Sequence, residues 1–128
     1  MKLVICAAAI FLSLQTVSAA DFDGSKKLIC ATTLAMDCVA GRDCVKGPPG
    51  EIGAPKFLSI DFAQKTVGGP KRSTAIVFMD KGEDQITLQG NELGFGWTIA
   101  LGQGDGDIVA TLVNRDGAFL LFGSCTPF

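Results

Sequence analysis

The side chains of this chain that could do acid–base or metal chemistry are mainly carboxylates and cysteines, because the sequence contains no His and no Tyr. Histidine is the commonest general base near neutral pH and the commonest ligand for zinc and copper. A carboxylate enzyme would need two acids facing one cleft, yet most Asp and Glu residues fall in predicted turns, where solvated charges are expected. The sequence therefore assigns no catalytic residue and no cofactor, and a small carboxylate-based hydrolase or isomerase is the alternative rather than the favoured class.

Asp61 is the acid in the most unusual position, inside a predicted strand on the face opposite Leu58 and Ile60. We interpret it as a solvent-facing residue beside Lys or Thr on a neighbouring strand, and keep it as a candidate ligand-binding residue. The stretches "DFDG" at 21–24 and "GDGD" at 104–107 place two Asp near glycines, as calcium loops do. Neither continues with the further oxygen ligands and the distal Glu of that motif, so no metal site is predicted.

Trp97 is the only tryptophan, and it stands in "GFGWT", between glycines that let another group approach the backbone closely. In the favoured interpretation it belongs to the core, with its indole N–H bonded to a main-chain oxygen. In the other, Trp97 and Phe95 belong to a ligand site at the opening of a curved sheet or small barrel. Trp97, Phe95 and Asp61 are therefore the candidate ligand-binding residues.

Residues 1–20 have the pattern of a secretory signal peptide: a positive charge at Lys2, an apolar run over 3–14, and small residues before position 21. The apolar run is too short to span a bilayer, and no other stretch of the sequence is apolar enough for a membrane span. The mature chain, 21–128, is predicted to be one domain located in the periplasm or secreted.

Four cysteines remain after the signal peptide: Cys30, Cys38, Cys44 and Cys125. An even number in a small exported domain predicts two disulfides, and the spacing matches no common zinc motif. Basic residues are scattered in a chain of net charge −2. Nucleic-acid binding normally requires a clustered basic face, so that class is not expected.

The predicted fold is mainly β with one helix. From Ser25 to Gly41 apolar residues recur at helical spacing, so a short N-terminal helix is expected, although Thr32 and Thr33 leave a strand as the competing prediction. "GPPGEIGAP" at 47–55 has only three Gly-X-Y triplets, too few for a collagen helix, and is interpreted as a stiff exposed connection.

Period-two alternation and turn residues from Phe57 onward predict about six strands in an antiparallel meander or small barrel-like sheet. The segments share apolar residues at alternate positions or in continuous runs, and lie at 58–62, 76–79, 86–89, 95–101, 108–113 and 118–122. The last is apolar on both faces, so the helix is expected to cover it.

The helix also restricts the disulfide pairing. Cys30 and Cys38 would lie about 12 Å apart along its axis, too far for a bond. Cys125 must then pair with Cys30 or with Cys38. We favour Cys38 with Cys44, which a short turn separates, and Cys30 with Cys125; Cys30 with Cys44 remains the alternative.

Several stretches, "FLSIDFAQKTVGG", "ITLQGNELGFGWTIAL" and the ending "FGSCTP", resemble a group of small uncharacterised exported, periplasmic proteins of proteobacteria. The resemblance implies an envelope protein and indicates no catalytic residue. The expected function is a binding or interaction module of the cell envelope, with a small apolar ligand or an envelope protein as its partner.

Overall fold

In a computed structural model of the protein, residues 20–128 are described. The signal peptide predicted for residues 1–20 lies outside the described residues, apart from Ala20. The elements in chain order are β1 (Leu28–Val39), β2 (Val45–Gly47), α1 (Pro49–Ile52), β3 (Phe57–Asp61), β4 (Thr66–Gly68), β5 (Ser73–Ala75), β6 (Phe78–Lys81), β7 (Gln85–Glu92), β8 (Phe95–Gly102), β9 (Asp107–Val113) and β10 (Gly117–Pro127). Among these residues no helix is long and apolar enough to cross a membrane.

The strands form one antiparallel sheet in the order β5-β4-β3-β1-β10-β9-β8-β7-β6, and β2 pairs with the C-terminal half of β1. The two ends of this order, β5 and β6, are separated in the chain only by Ile76 and Val77. The N–H of Ile76 donates to the Lys65 carbonyl beside β4, and the N–H of Val77 donates to the Gln89 carbonyl of β7. The chain therefore passes directly from one end of the sheet to the other, and the sheet curls into a half-barrel.

The helix predicted for residues 25–41 is wrong, since Leu28–Val39 is the long central strand β1. It is hydrogen-bonded to β10 on one side and to β3 and β2 on the other. A β-bulge between Thr32 and Leu34 inserts one extra residue, so the buried positions pass from Cys30 and Thr32 to Ala35. This break in the period of two produced a spacing that resembles that of a helix.

The prediction of about six strands is also wrong, because residues 20–128 form ten. Each of the six predicted segments overlaps a strand. The structure adds β1 and three short strands. The short strands, β2, β4 and β5, have three residues each. Strands this short cannot show an alternating pattern. The segment at 76–79 was expected to be half-buried, but β6 is exposed along its whole length.

The core lies on the inner face of the curled sheet. Alternate residues of β7 and β8 point inward, and the fully buried side chains include Ile86, Leu88 and Leu101. Leu121 of β10 is likewise fully buried, whereas Leu120 and Phe122 are only partly buried. The prediction that a helix covers the last strand is wrong: β1 lies beside β10 in the sheet, not on top of it.

Two disulfides join Cys30 to Cys125 and Cys38 to Cys44, the pairing that the sequence favoured. The premise for that pairing was the helix, and it was wrong. An extended β1 separates Cys30 from Cys38 even further than a helix would, so the exclusion of that pair still holds. In the β1–β10 register Cys30 lies directly opposite Cys125, and the bond links two neighbouring strands across the inner face.

The connection 47–55 is more than an exposed stiff segment. It contains α1, which ends at Gly53 in the left-handed conformation, with a φ of 85°. Pro49 and Ala54 are buried, and Ile52 packs against the core. The hydroxyl of Thr32 in β1 donates to the Pro55 carbonyl, so the end of this segment is hydrogen-bonded to the sheet.

Candidate functional site

A cavity of about 390 Å³ lies against the inner face of the half-barrel. Its walls are mainly apolar side chains of five strands, namely Leu58, Val67, Trp97, Ile99, Ala110, Leu112 and Leu121. Gly53, Ala54 and Pro55, which follow α1, form part of the wall. The volume falls within the range of small-molecule sites in proteins, which are typically concave and mostly apolar.

The Trp97 side chain in the cavity wall has one polar group, the indole N–H. Trp97 is 7% exposed, and its indole nitrogen Nε1 is buried without a hydrogen-bond partner. Within residues 20–128 no other buried side-chain nitrogen or oxygen lacks a partner. Leaving a buried donor unpaired costs about 1–3 kcal/mol, and buried indole N–H groups usually find an acceptor. Within residues 20–128 the expected bond to a main-chain oxygen is absent, so the structure leaves this donor unsatisfied.

The position of the indole depends on Gly90. Gly90 of β7 is the register partner of Trp97, and both residues lie on the inner face. A Cβ at position 90 would collide with the edge of the indole ring and would lie 2.6 Å from the Ala75 carbonyl oxygen. The absence of a side chain at residue 90 therefore allows the ring to lie flat against the sheet.

Charged side chains stand at one end of the cavity, which we call the cavity rim: residues 69–72 between β4 and β5, and Glu92 at the end of β7. Nη1 of Arg72 lies 3.5 Å from Oε1 of Glu92, and both side chains are partly exposed. Close by, the Thr74 hydroxyl donates to the Asn91 carbonyl at 2.9 Å. These contacts connect β5 to β7, so the rim is assembled where the two ends of the sheet meet.

The three candidate residues of the sequence do not form one site. Trp97 lines the cavity, whereas Phe95, two residues earlier, packs against Phe119 with ring centroids 6.5 Å apart and does not line it. Asp61 ends β3, where its Oδ1 accepts a hydrogen bond from the Gln64 N–H at 2.9 Å and its Oδ2 lies 3.9 Å from Lys27 Nζ. It is a turn-stabilising residue in this structure, away from the cavity.

The sequence did not predict the part of the cavity wall that follows α1, nor the charged cavity rim. Lys71 and Arg72 were visible as one of two adjacent basic pairs. Nothing in the sequence connects them to Glu92, twenty residues later. The turn motif "GGPKR" was the only local signal.

The cavity does not bring two carboxylates of residues 20–128 together. Glu92 is the one carboxylate among the described residues that line the cavity. The described part of the chain also contains no group of three or more His, Cys, Asp or Glu side chains that could hold a metal ion. A second cavity of about 410 Å³ extends to the outward-facing Ile29 and Phe57, and Trp97 does not line it. The residues that line both cavities are Ala54, Pro55, Leu58, Gly69 and Pro70.

Comparisons with known proteins identify no relative of this chain: no protein-family model, no curated protein and no solved structure matches it. Its function is therefore inferred from the chemistry of the cavity.

Proposed function

We propose that this protein is an exported binding module that holds a small, mainly apolar molecule in the cavity of its half-barrel. The observation that carries the proposal is the mainly apolar cavity of about 390 Å³ on the inner face of the sheet, with Trp97 in its wall. Apolar walls supply affinity by removing hydrocarbon from water, and a few polar groups then fix the orientation of the ligand.

The proposed location is the periplasm or the extracellular medium. Two disulfides are typical of proteins that fold in oxidising compartments. The signal-peptide pattern of residues 1–20 and the resemblance to exported proteins of proteobacteria support the same location. The Cys30–Cys125 bond also crosses the inner face, so oxidation would stabilise the sheet that forms the cavity.

The binding proposal is tested with N-phenyl-1-naphthylamine, a neutral apolar dye whose emission rises in apolar surroundings. Trp97 is the only tryptophan and the chain has no tyrosine, so its emission reports on this one site. We expect saturable binding with energy transfer from Trp97 to the dye. Ala110→Leu places a larger side chain in the cavity and should weaken binding at least about tenfold, which corresponds to about 1.4 kcal/mol.

Val109→Leu is the matched control, since Val109 is the adjacent residue of β9 and is 42% exposed, whereas Ala110 is 2% exposed. This variant should bind the dye as the unmodified protein does. If both variants bind equally well, or if no saturable energy transfer is seen, the cavity is not the binding site and the proposal fails.

A further inference from the structure

The side chains around the cavity offer more hydrogen-bond donors than acceptors. The side chains of Lys71 and Arg72 at the rim can only donate. Glu92 is the one charged acceptor at the rim, and Arg72 already lies 3.5 Å from it. A ligand that satisfies these donors must itself present acceptor atoms.

The charge of the rim has the opposite sign to that of the whole chain. Lys71 and Arg72 against Glu92 leave one positive charge at the rim, in a chain of net charge −2. Among the described residues Lys71 has no carboxylate within ion-pair distance. The cavity therefore combines an apolar interior with a cationic end.

An apolar interior and a cationic, donor-rich rim match one class of molecule. Resting on the proposed binding function, we propose that the ligand is a single-chain anionic amphiphile, a hydrocarbon chain that ends in an acid group. The chain lies against Ile99, Ala110 and Leu121, and the acid group is at the rim beside Lys71 and Arg72. Arg72 can then exchange its exposed contact with Glu92, which is worth little in water, for a charge-assisted bond to the ligand.

The test compares dodecanoate, dodecanol and dodecyltrimethylammonium as competitors that displace N-phenyl-1-naphthylamine, with the two ionic compounds below their micelle-forming concentrations and dodecanol below its solubility limit. We expect dodecanoate to bind about two- to fivefold more tightly than dodecanol, since a partly exposed ionic contact contributes about 0.5–1 kcal/mol. Dodecyltrimethylammonium should bind most weakly. The preference for dodecanoate should shrink as salt is added, because the rim is in contact with water.

The decisive variant is the double substitution Lys71→Met and Arg72→Met, which keeps long apolar stems and removes both charges. It should abolish the preference for dodecanoate over dodecanol, and the readout is the ratio of the two affinities measured on the same variant. The control is Lys26→Met with Lys27→Met, the other adjacent basic pair, which does not line the cavity. The two double variants have the same net charge, so a non-specific charge effect would appear in both.

The outcomes separate the two proposals. Equal binding of dodecanol and dodecanoate, or an undiminished preference in the Lys71 and Arg72 variant, overturns the anionic ligand while leaving the cavity as the binding site. Absence of saturable dye binding means that the binding proposal has failed, whereas a bound dye that none of the three compounds displaces overturns the anionic amphiphile alone. Binding to vesicles containing anionic phospholipid, without binding to dodecanoate, would assign the acid group to a membrane surface and contradict a free single-chain ligand.

Discussion

Gly90 lies directly opposite Trp97 on the inner face of the β7–β8 pair, and the indole occupies the space that a side chain at position 90 would need. This arrangement fixes a large ring against the cavity wall. It also makes residue 90 sensitive to the smallest possible enlargement, because one of the atoms that a new methyl group would meet belongs to the main chain.

Gly90→Ala should lower the free energy of unfolding by about 1–3 kcal/mol, the usual cost of overpacking, and should change the Trp97 emission spectrum by displacing the ring. Urea unfolding followed by fluorescence measures both effects. Gly96→Ala is the control: it lies in the same hairpin, and a Cβ there would meet nothing within 4 Å. Equal stability of the two variants would show that the ring does not depend on Gly90.

The two disulfides should contribute unequally to stability. Cys30 and Cys125 are separated by 95 positions and Cys38 and Cys44 by 6. In the chain-entropy model, replacing the first pair with Ala costs about 4–5 kcal/mol and replacing the second about 2 kcal/mol. Urea unfolding of the two double variants measures the difference, and equal losses would contradict this explanation.

In the unreduced protein, thiol titration under denaturing conditions should detect none of these four cysteines.

Thr32→Val should destabilise the protein by about 1–2 kcal/mol. Thr32 is only 9% exposed, and its hydroxyl donates to the Pro55 carbonyl. The substitution keeps the shape of the side chain and leaves that carbonyl without this donor. Since Pro55 belongs to the cavity wall, dye binding should weaken as well. Thr33→Val, at the adjacent exposed position, removes only a longer bond from its hydroxyl to the Phe122 carbonyl, at 3.3 Å and in contact with water, and should change stability by less than about 0.5 kcal/mol. Identical effects of both substitutions would rule out a special role for the Thr32 bond.

The carboxyl of Asp23 is expected to titrate below its ordinary range. Hydrogen bonds from the Ser25 side chain and then from the Ser25 backbone lower the pKa of Asp23, and the backbone N–H lies 2.9 Å from Oδ1. A depressed folded-state pKa means that ionised Asp23 contributes stability above the pKa of the unfolded chain and loses it as the pH falls through the folded-state value. Ser25→Ala should raise this pKa, as measured by NMR titration of the side-chain carboxyl, whereas Ser73→Ala should not. An unchanged value in Ser25→Ala would refute the assigned cause.

Alternation along single strands made β7, β8 and β9 predictable. Ile86 and Leu88 alternate with polar residues, and Trp97, Ile99 and Leu101 form one stripe that is buried in the structure. The same logic failed for β1, because the bulge after Thr32 changes the face on which apolar residues lie. It could not detect β2, β4 and β5, whose pairing partners stabilise them and whose own sequences are too short to show a period.

The sequence by itself determined the β-rich class and the presence of two disulfides. These properties depend on residue type and on periods of two along the chain. The favoured pairing is the observed one, but it was argued from a helix that is absent at residues 28–39. Only the tertiary structure decided that the Trp97 N–H has no acceptor, because this depends on which main-chain oxygens the neighbouring strands leave near the ring. It also decided that Arg72 and Glu92 meet at the cavity rim. Their contact exists because the sheet curls until β5 approaches β7, and no local pattern specifies how far a sheet curls.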